Sequence, residues 1–151
     1  MKKLIYIFIT LIATTIVAAC DDSDLLSDMS GVWRVDSYEI DGVSQVGLCE
    51  RTTFSFQKNV VSVVVIYDEY QTYNTVYGTW SCKDATFTFD FSHHDNNSNQ
   101  GTGPYSAPAW LGMISDEPME MTVVEHSSKG LSLEWLSPNG ATQLYKLHKN
   151  I

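Results

Sequence analysis

Strict alternation of apolar and polar residues over 85–91 is the feature that most limits how this chain can fold. Phe87, Phe89 and Phe91 are separated by single polar residues. Because successive side chains of a strand point to opposite faces, such a segment buries one face and exposes the other. The alternation predicts a half-buried β-strand, and no part of the sequence beyond residue 30 shows a sustained helical period.

Similar runs follow one another along the chain, and most end at a turn signal such as Asn139-Gly140. Two-residue connections at 58–59 and 83–84 force neighbouring strands to be antiparallel. The eight predicted strands cover 32–40, 52–57, 60–67, 73–82, 85–91, 119–126, 131–136 and 141–148. Eight such strands either leave two edges or close, and closure removes the edges. We therefore expect an all-β fold, an eight-stranded antiparallel up-and-down barrel.

The predicted strand over 60–67 is unusual because it is apolar on both faces. An outward row of valines can reflect β-propensity alone. The alternative is a surface that a partner or a loop covers.

The connection over 92–118 has no clear strand pattern, and connections of this length are usually functional or disordered. We expect 93–100, which is polar, to move freely. The apolar residues of the second half are Trp110, Leu111, Met113 and Ile114. These residues are expected to pack over a barrel mouth or against the outer face of 60–67, since exposure would forfeit about 1.5–3 kcal/mol for each side chain.

The amino terminus is typical of a secretion signal. Lys2 and Lys3 precede an apolar run over 4–19, which is shorter than the about 20 residues that a membrane-spanning helix needs. The tetrapeptide Val-Ala-Ala-Cys over 17–20 resembles the bacterial lipobox, which implies that 1–19 is a lipoprotein signal peptide. The resemblance also implies a diacylglycerol on the thiol of Cys20, and two or three acyl chains anchor a protein stably. The alternative is an ordinary signal peptide with a chance cysteine.

The acidic segment after the lipobox bears on location. Residues 20–30 contain four aspartates and are expected to form a solvated tether. The cluster resembles the acidic export signal that carries some lipoproteins of Gram-negative bacteria to the cell surface. An aspartate directly after the cysteine also resembles an inner-membrane retention signal of enteric bacteria. We expect an outer-membrane lipoprotein exposed at the cell surface, with a periplasm-facing orientation as the alternative.

Charge and length limit the partners and the number of domains. With 18 acidic and nine basic residues, the chain carries a net charge of −9. Such a surface repels nucleic acid and anionic headgroups, so we expect no nucleic-acid partner, and only the lipid should hold the protein to a membrane. The residues left after signal cleavage suffice for one domain with a core, which we assign to 31–151.

The tripeptide Gly-Val-Trp at 31–33 resembles the Gly-x-Trp signature of lipocalins. Gly-Thr-Trp at 78–80, Tyr-Lys-Leu at 145–147 and Cys49 resemble the small lipocalin-like lipoproteins of Gram-negative gut-type bacteria. The resemblance implies a lipocalin-like barrel in which Trp33 packs across the closed end. A Thr-Asp-Tyr segment is missing, and the last strand has no Arg to lie over this tryptophan, which bears on ligand transport more than on the barrel.

Cys49 and Cys82 remain after signal cleavage as an even pair in an oxidising compartment, which favours a disulfide. Both cysteines lie at the termini of predicted strands, so we expect them to meet at one end of the barrel. The bond would contribute about 3–4 kcal/mol in the chain-entropy account.

Catalytic and metal signatures are weak in this sequence. His93, His94 and Asp95 carry suitable metal donors, but adjacent histidines in a loop lack a third placed ligand, so we expect a solvated loop. The carboxylate pairs at 68–69 and 116–117 also lie in predicted loops. A nucleophile elbow, a P-loop and a dinucleotide fingerprint are all missing from the sequence. We therefore expect no enzyme activity, no metal and no cofactor.

Two functions are consistent with these observations. The first is binding of a small apolar or amphipathic ligand inside the barrel, with 92–118 as rim or lid. The alternative is an accessory lipoprotein with a filled barrel that contacts another, unknown envelope protein. A cavity of about 300 Å³ or more would favour the first. The residues expected to line the ligand site are Trp80, Phe87, Phe89, Trp110, Met113 and Trp135.

Overall fold

The computed structural model describes residues 29–45, 47–67, 73–92 and 106–150. The predicted signal peptide, the lipidation site Cys20 and tether residues 20–28 lie outside these ranges. None of the helices within the described ranges is long and apolar enough to cross a membrane.

Most of the described residues form strands. The strands are β1 Gly31–Ile40, β2 Val43–Ser44, β3 Thr52–Gln57, β4 Val60–Ile66, β5 Tyr73–Lys83, β6 Thr86–Asp90, β7 Met119–His126, β8 Gly130–Leu136 and β9 Thr142–Lys149. Two short 3-10 helices, Leu48–Arg51 and Ala109–Leu111, lie between them. The eight predicted strands are confirmed to within one residue at each end, and β2 is an addition that the alternation does not predict.

The strands close into a barrel. From β3 to β9 each strand pairs antiparallel with the next, and β3 also pairs with β1. The circle closes because β9 returns to β1, from the Trp33–Lys149 pair to the Ile40–Gln143 pair. β2 adds only two residue pairs beside the end of β1. The predicted eight-stranded antiparallel up-and-down barrel is therefore confirmed.

The two ends of the barrel are built differently, and we call them the closed end and the mouth. The closed end contains the start of β1 and the tight turn between β3 and β4, whereas the mouth contains both 3-10 helices. Trp33 and Met29 are fully buried at the closed end. Trp33 Nε1 donates a hydrogen bond of 2.9 Å to the carbonyl oxygen of Met29. Trp33 thus lies across the closed end, as the lipocalin resemblance implies.

Lys149 of β9 lies at the same end, with its Nζ 5.6 Å from the centroid of the Trp33 ring. The two residues are direct partners across the β1–β9 pairing. A cation over an aromatic face is stabilised by the quadrupole of the ring. Lys149 therefore lies over Trp33 in the position where the lipocalin resemblance implies an arginine. A search of the last strand for arginine alone does not find it.

Inward-facing rings from three strands fill the interior of the barrel, and we call them the aromatic cluster. Its members are Phe54, Phe56, Trp80, Phe87, Phe89 and Phe91. Trp80 stacks on Phe87 with ring centroids 5.1 Å apart, and Phe56 meets Trp80 edge-on at 5.1 Å. Phe91 lies over Gly78, where a Cβ would come within 2.6 Å of the phenylalanine ring. The period-two pattern of three strands thus brings six rings into one core.

The structure contradicts the predicted disulfide between Cys49 and Cys82, because neither cysteine is disulfide-bonded. Cys49 lies in the 3-10 helix at the mouth, whereas Cys82 is next to the closed-end terminus of β5. Three strands separate the two residues, and an odd number of strands carries the chain to the opposite end. The length of β5 separates the two ends by roughly 30 Å, whereas a disulfide needs Cα atoms within about 7 Å. Both cysteines are buried instead.

The strand β4 is apolar on both faces, as predicted. Val61, Val63 and Val65 point inward and are fully buried. On the outward face Val60 is 37% and Ile66 42% exposed. The inward valines belong to the core, while the outward face keeps apolar surface in contact with solvent.

Candidate functional site

Residues 106–115, which we call the mouth segment, lie at the mouth without joining the sheet. Leu111 is fully buried and Met113 nearly so, and both share one core with the strands. Trp110 and Ile114 are partly buried against that core. The apolar residues of the long connection are therefore packed at the mouth, which is the first of their two expected positions.

Hydrogen bonds from side chains hold the mouth segment in place. Trp110 Nε1 donates to Thr52 Oγ1 over 3.0 Å, at the start of β3. Within the segment, the backbone N–H of Ala107 donates to Ser115 Oγ over 2.7 Å. The segment is thus attached to the barrel through side chains rather than through a strand ladder.

Gly112 allows the segment to approach the barrel wall. Its φ of +67° is in the left-handed region that favours glycine. A Cβ at this position would overlap the hydroxyl of Tyr38 and would lie 2.9 Å from Gln143 Oε1. The backbone next to Leu111 can therefore reach these polar groups only because this residue has no side chain.

A pair of tyrosines forms the polar part of the mouth. The rings of Tyr38 and Tyr145 stack with centroids 4.9 Å apart, and both hydroxyls lie 2.7 Å from Gln143 Oε1. The Tyr145 hydroxyl is also 2.9 Å from the carbonyl oxygen of Leu111. Each hydroxyl has one proton to donate, so Tyr38 donates to Gln143 whereas Tyr145 can donate to either oxygen. Tyr145 is therefore the donor that can bind a carbonyl of the mouth segment.

Both tyrosines are neutral donors. Burial raises the pKa of Tyr145 above the ordinary value of 10.0, and the neighbouring Tyr38 raises it further. Burial also raises the pKa of Tyr38, although its interaction with Tyr145 lowers it in part. The sequence analysis missed Tyr38 and Gln143 as site residues. The signal that marks them is their inward position near the mouth ends of β1 and β9.

Three of the residues expected to line the ligand site, Trp80, Phe87 and Phe89, belong to the aromatic cluster. Phe87 is 0% and Phe89 1% exposed, so neighbouring atoms surround both rings almost completely. The centroids of these two rings are 5.2 Å apart. In this structure Phe87 and Phe89 form part of a packed core.

The other three expected residues, Trp110, Met113 and Trp135, lie near the mouth. Trp110 and Met113 belong to the mouth segment itself, and Trp135 is buried near the end of β8, where it pairs with Gln143 of β9. The six predicted residues therefore divide between a packed interior and the mouth, and the mouth group is the one that adjoins the polar tyrosine pair.

One buried polar atom in the aromatic cluster lacks a hydrogen-bond partner. Trp80 is 6% exposed, and its Nε1 has no acceptor within hydrogen-bonding distance. A buried donor left unpaired costs about 1–3 kcal/mol. The interior therefore offers a hydrogen-bond donor that the described residues leave unused.

A cavity of about 440 Å³ lies on the outside of the barrel, over β5 and β6. Its lining residues are Asn59, Thr79, Trp80, Ser81, Thr88, Asp90 and Pro118. Thr79 pairs with Asp90 and Ser81 with Thr88 on the outward faces of these strands. This cavity lies outside the barrel interior, where the sequence predicts the ligand site, and Trp80 is the one predicted ligand residue among its lining residues.

The described ranges contain no group of three or more His, Cys, Asp or Glu side chains that could hold a metal ion. His93, His94 and Asp95 lie outside those ranges, as does the carboxylate pair at 68–69. The pair at 116–117 is exposed in the bend before β7.

Comparisons with known proteins support the fold. The chain matches no protein-family model, and no curated protein matches it in sequence. A lipocalin-like protein from Bacteroides uniformis is 19% identical, covering 82% of this chain and 99% of its own, with a TM-score of 0.52. An uncharacterized protein from Bacteroides eggerthii is 18% identical, covering 81% and 99%, with a TM-score of 0.59. At these identities the likeness is one of fold, and the chain has a lipocalin-like barrel.

Proposed function

We propose that this protein is a non-enzymatic, lipid-anchored lipoprotein of the cell envelope that binds a small apolar or amphipathic molecule in the mouth of its barrel. The observation that carries this proposal is the position of Leu111. This side chain is fully buried inside the barrel although its backbone is not part of the sheet. Its carbonyl accepts a hydrogen bond from the Tyr145 hydroxyl, and an amphipathic ligand would make the same two kinds of contact.

The mouth segment can leave this position without disturbing the barrel. Its withdrawal breaks side-chain hydrogen bonds such as Trp110–Thr52, but no strand pairing. The apolar contacts that Leu111 gives up are worth about 1.5–3 kcal/mol. A ligand that fills the same space regains them, so the ligand and the segment compete for one site.

Titration of the purified protein with an apolar fluorescent probe tests this proposal. Replacing Leu111→Ala weakens the hold of the segment on the mouth, and we expect the affinity for the probe to rise about tenfold, since 1.4 kcal/mol corresponds to a factor of ten. Leu136→Ala is the matched control, because that leucine faces outward on β8 and is 68% exposed. The control should bind as the wild type does.

A second candidate function is favoured by the packing of the aromatic cluster. Phe56 and Phe87 are fully buried, as expected of a filled barrel that contacts another envelope protein through its outer surface. Ile66 and Tyr73 pair across β4 and β5 and are 42% and 68% exposed, which offers apolar surface for such a contact. Absence of probe binding by both the wild type and Leu111→Ala would favour this function over ligand binding.

The lipid anchor is proposed from the resemblance of 17–20 to a lipobox. Metabolic labelling with a fatty-acid analogue should mark the wild-type protein and not Cys20→Ala, and equal labelling of both would exclude lipidation at this cysteine. We propose an outer-membrane location facing the cell exterior, supported by the aspartates that follow Cys20. Protease added to intact cells should then degrade the protein, whereas a periplasm-facing protein would survive.

A further inference from the structure

The buried polar groups of the barrel are uncharged. Among the described residues, the buried polar side chains are those of Thr52, Ser132, Ser137 and Gln143, and no charged side chain is buried. The tyrosine pair adds two neutral hydroxyls at the mouth. A molecule that enters this barrel therefore meets hydrogen-bonding groups without meeting an ionic partner.

Among the described residues, no lysine or arginine is buried beside the tyrosine pair. Lys146, which follows Tyr145 in β9, is paired with Glu39 over 3.3 Å. Lys149 lies over Trp33 at the closed end, six residues along β9 from Gln143, which corresponds to about 20 Å. Arg51 is exposed at the mouth, where its Nη1 donates to the carbonyl oxygen of Tyr67 over 3.0 Å. Lys149 is therefore too far to pair with a carboxylate that enters beside the tyrosines, and the charges of Arg51 and Lys146 are exposed to solvent rather than buried in the interior.

Acidic residues surround the mouth. Asp41 and Glu50 are exposed near the ends of β1 and the first 3-10 helix, and Asp116 and Glu117 are exposed where the chain leaves the mouth segment. The protein as a whole carries a net charge of −9. This field repels anions from the opening.

The donors at the mouth are suited to a carbonyl oxygen. Tyr145 already contacts one, the carbonyl of Leu111. A carbonyl in a ligand can take this place when the mouth segment withdraws. Deeper in the barrel, Trp80 Nε1 is a second neutral donor that has no acceptor.

We infer that the ligand of this barrel is an uncharged apolar molecule with a hydrogen-bond-accepting oxygen, such as a ketone or an ester, and that a fatty-acid carboxylate is rejected. This inference rests on the proposed function. A buried carboxylate would lose its hydration without gaining a cation to compensate for that loss. A carbonyl loses far less hydration and gains the Tyr145 hydroxyl.

Displacement of the apolar probe by three ligands of similar chain length tests the inference: 2-decanone, decanoate and decane. At neutral pH we expect the ketone to bind at least about 100-fold more tightly than the carboxylate, and about fivefold more tightly than the alkane. Lowering the pH until decanoate is protonated should remove most of its disadvantage. This last arm separates the effect of charge from that of size.

Tyr145→Phe tests the proposed donor. The substitution should abolish the preference for the ketone over the alkane, whereas Tyr73→Phe, at an outward-facing tyrosine of β5 that is 68% exposed, should preserve it. Equal affinity of the wild type for decanoate and the ketone would overturn the inference while leaving ligand binding in place. Failure of all three compounds to bind either the wild type or Leu111→Ala would overturn the proposed function, and this inference with it.

Discussion

The closed end and the mouth of this barrel are filled by different kinds of structure. At the closed end the rings come from the strands themselves, as with Phe56 of β3 and Phe87 of β6. At the mouth Leu111 comes from a segment outside the sheet. A ring that belongs to a strand cannot leave the interior unless the barrel opens, whereas a side chain on a separate segment can. The comparison indicates that a barrel can have a permanently packed interior at one end and, at the other, a filling segment that a ligand can replace.

The largest effect is expected at the closed end. Phe87→Ala removes a fully buried ring that contacts Trp80, Phe56 and Phe89. We expect the free energy of unfolding to fall by about 3–5 kcal/mol, because the neighbouring rings are fixed by strands and cannot collapse into the space. Urea unfolding followed by circular dichroism measures this change. A loss below about 1 kcal/mol would show that the cluster is loosely packed.

A smaller effect is expected at the mouth. Leu111→Ala also truncates a fully buried side chain, but its segment is free of the strand ladder and can settle into the space. We expect a loss of about 2 kcal/mol in the free energy of unfolding, at the low end for such substitutions. The same urea experiment measures it. If the loss matched that of Phe87→Ala, the two ends would be equally rigid, and the contrast between them would be wrong.

Alkaline pH should also act on the mouth. Tyr145 has a raised pKa in the folded protein, so above about pH 10 the unfolded chain loses this proton while the folded protein keeps it. The stability present below that pH then falls as the pH rises, by about 1.4 kcal/mol per pH unit for this one group. Unfolding of the wild type and of Tyr145→Phe, compared from pH 9 to 11, should show a shallower decline in the variant. Parallel curves would contradict the burial of this hydroxyl.

Reduction of the two cysteines, one at each end of the barrel, is expected to have no effect on the free energy of unfolding. Because Cys49 and Cys82 lie at opposite ends and are not bonded, a reducing agent should leave the free energy of unfolding unchanged. Intact mass after alkylation of the denatured, unreduced protein should show both thiols modified. A reductant-dependent loss of about 3–4 kcal/mol would instead indicate a disulfide and a different arrangement of the strands.

The sequence predicts the fold well because the barrel follows from local patterns. Alternation in segments such as 85–91 identifies the strands and their inward faces, and short turns make neighbours antiparallel. Trp33 could also be assigned to the closed end, through its resemblance to a known signature. Each of these inferences depends on residues that are near one another in the chain.

The site was less predictable because its contacts join distant parts of the chain. Tyr38 and Gln143 are 105 residues apart and meet only through the pairing of β1 with β9. Alternation shows that Phe87 faces inward, but not whether its neighbours leave a cavity or fill it. The prediction of a disulfide between Cys49 and Cys82 was wrong for a related reason. A position at a strand terminus does not by itself tell at which end of the barrel a residue lies.

The return of β9 to β1 has a consequence for behaviour at high concentration. Strand-rich proteins aggregate most readily through exposed edges, whose unpaired backbone groups can add a strand from another molecule. Here each of the eight barrel strands has a paired neighbour on both sides. The outer edge of β2 extends for only two residues, Val43 and Ser44. At high concentration, therefore, each molecule exposes little unpaired strand backbone to which a strand of another molecule could add.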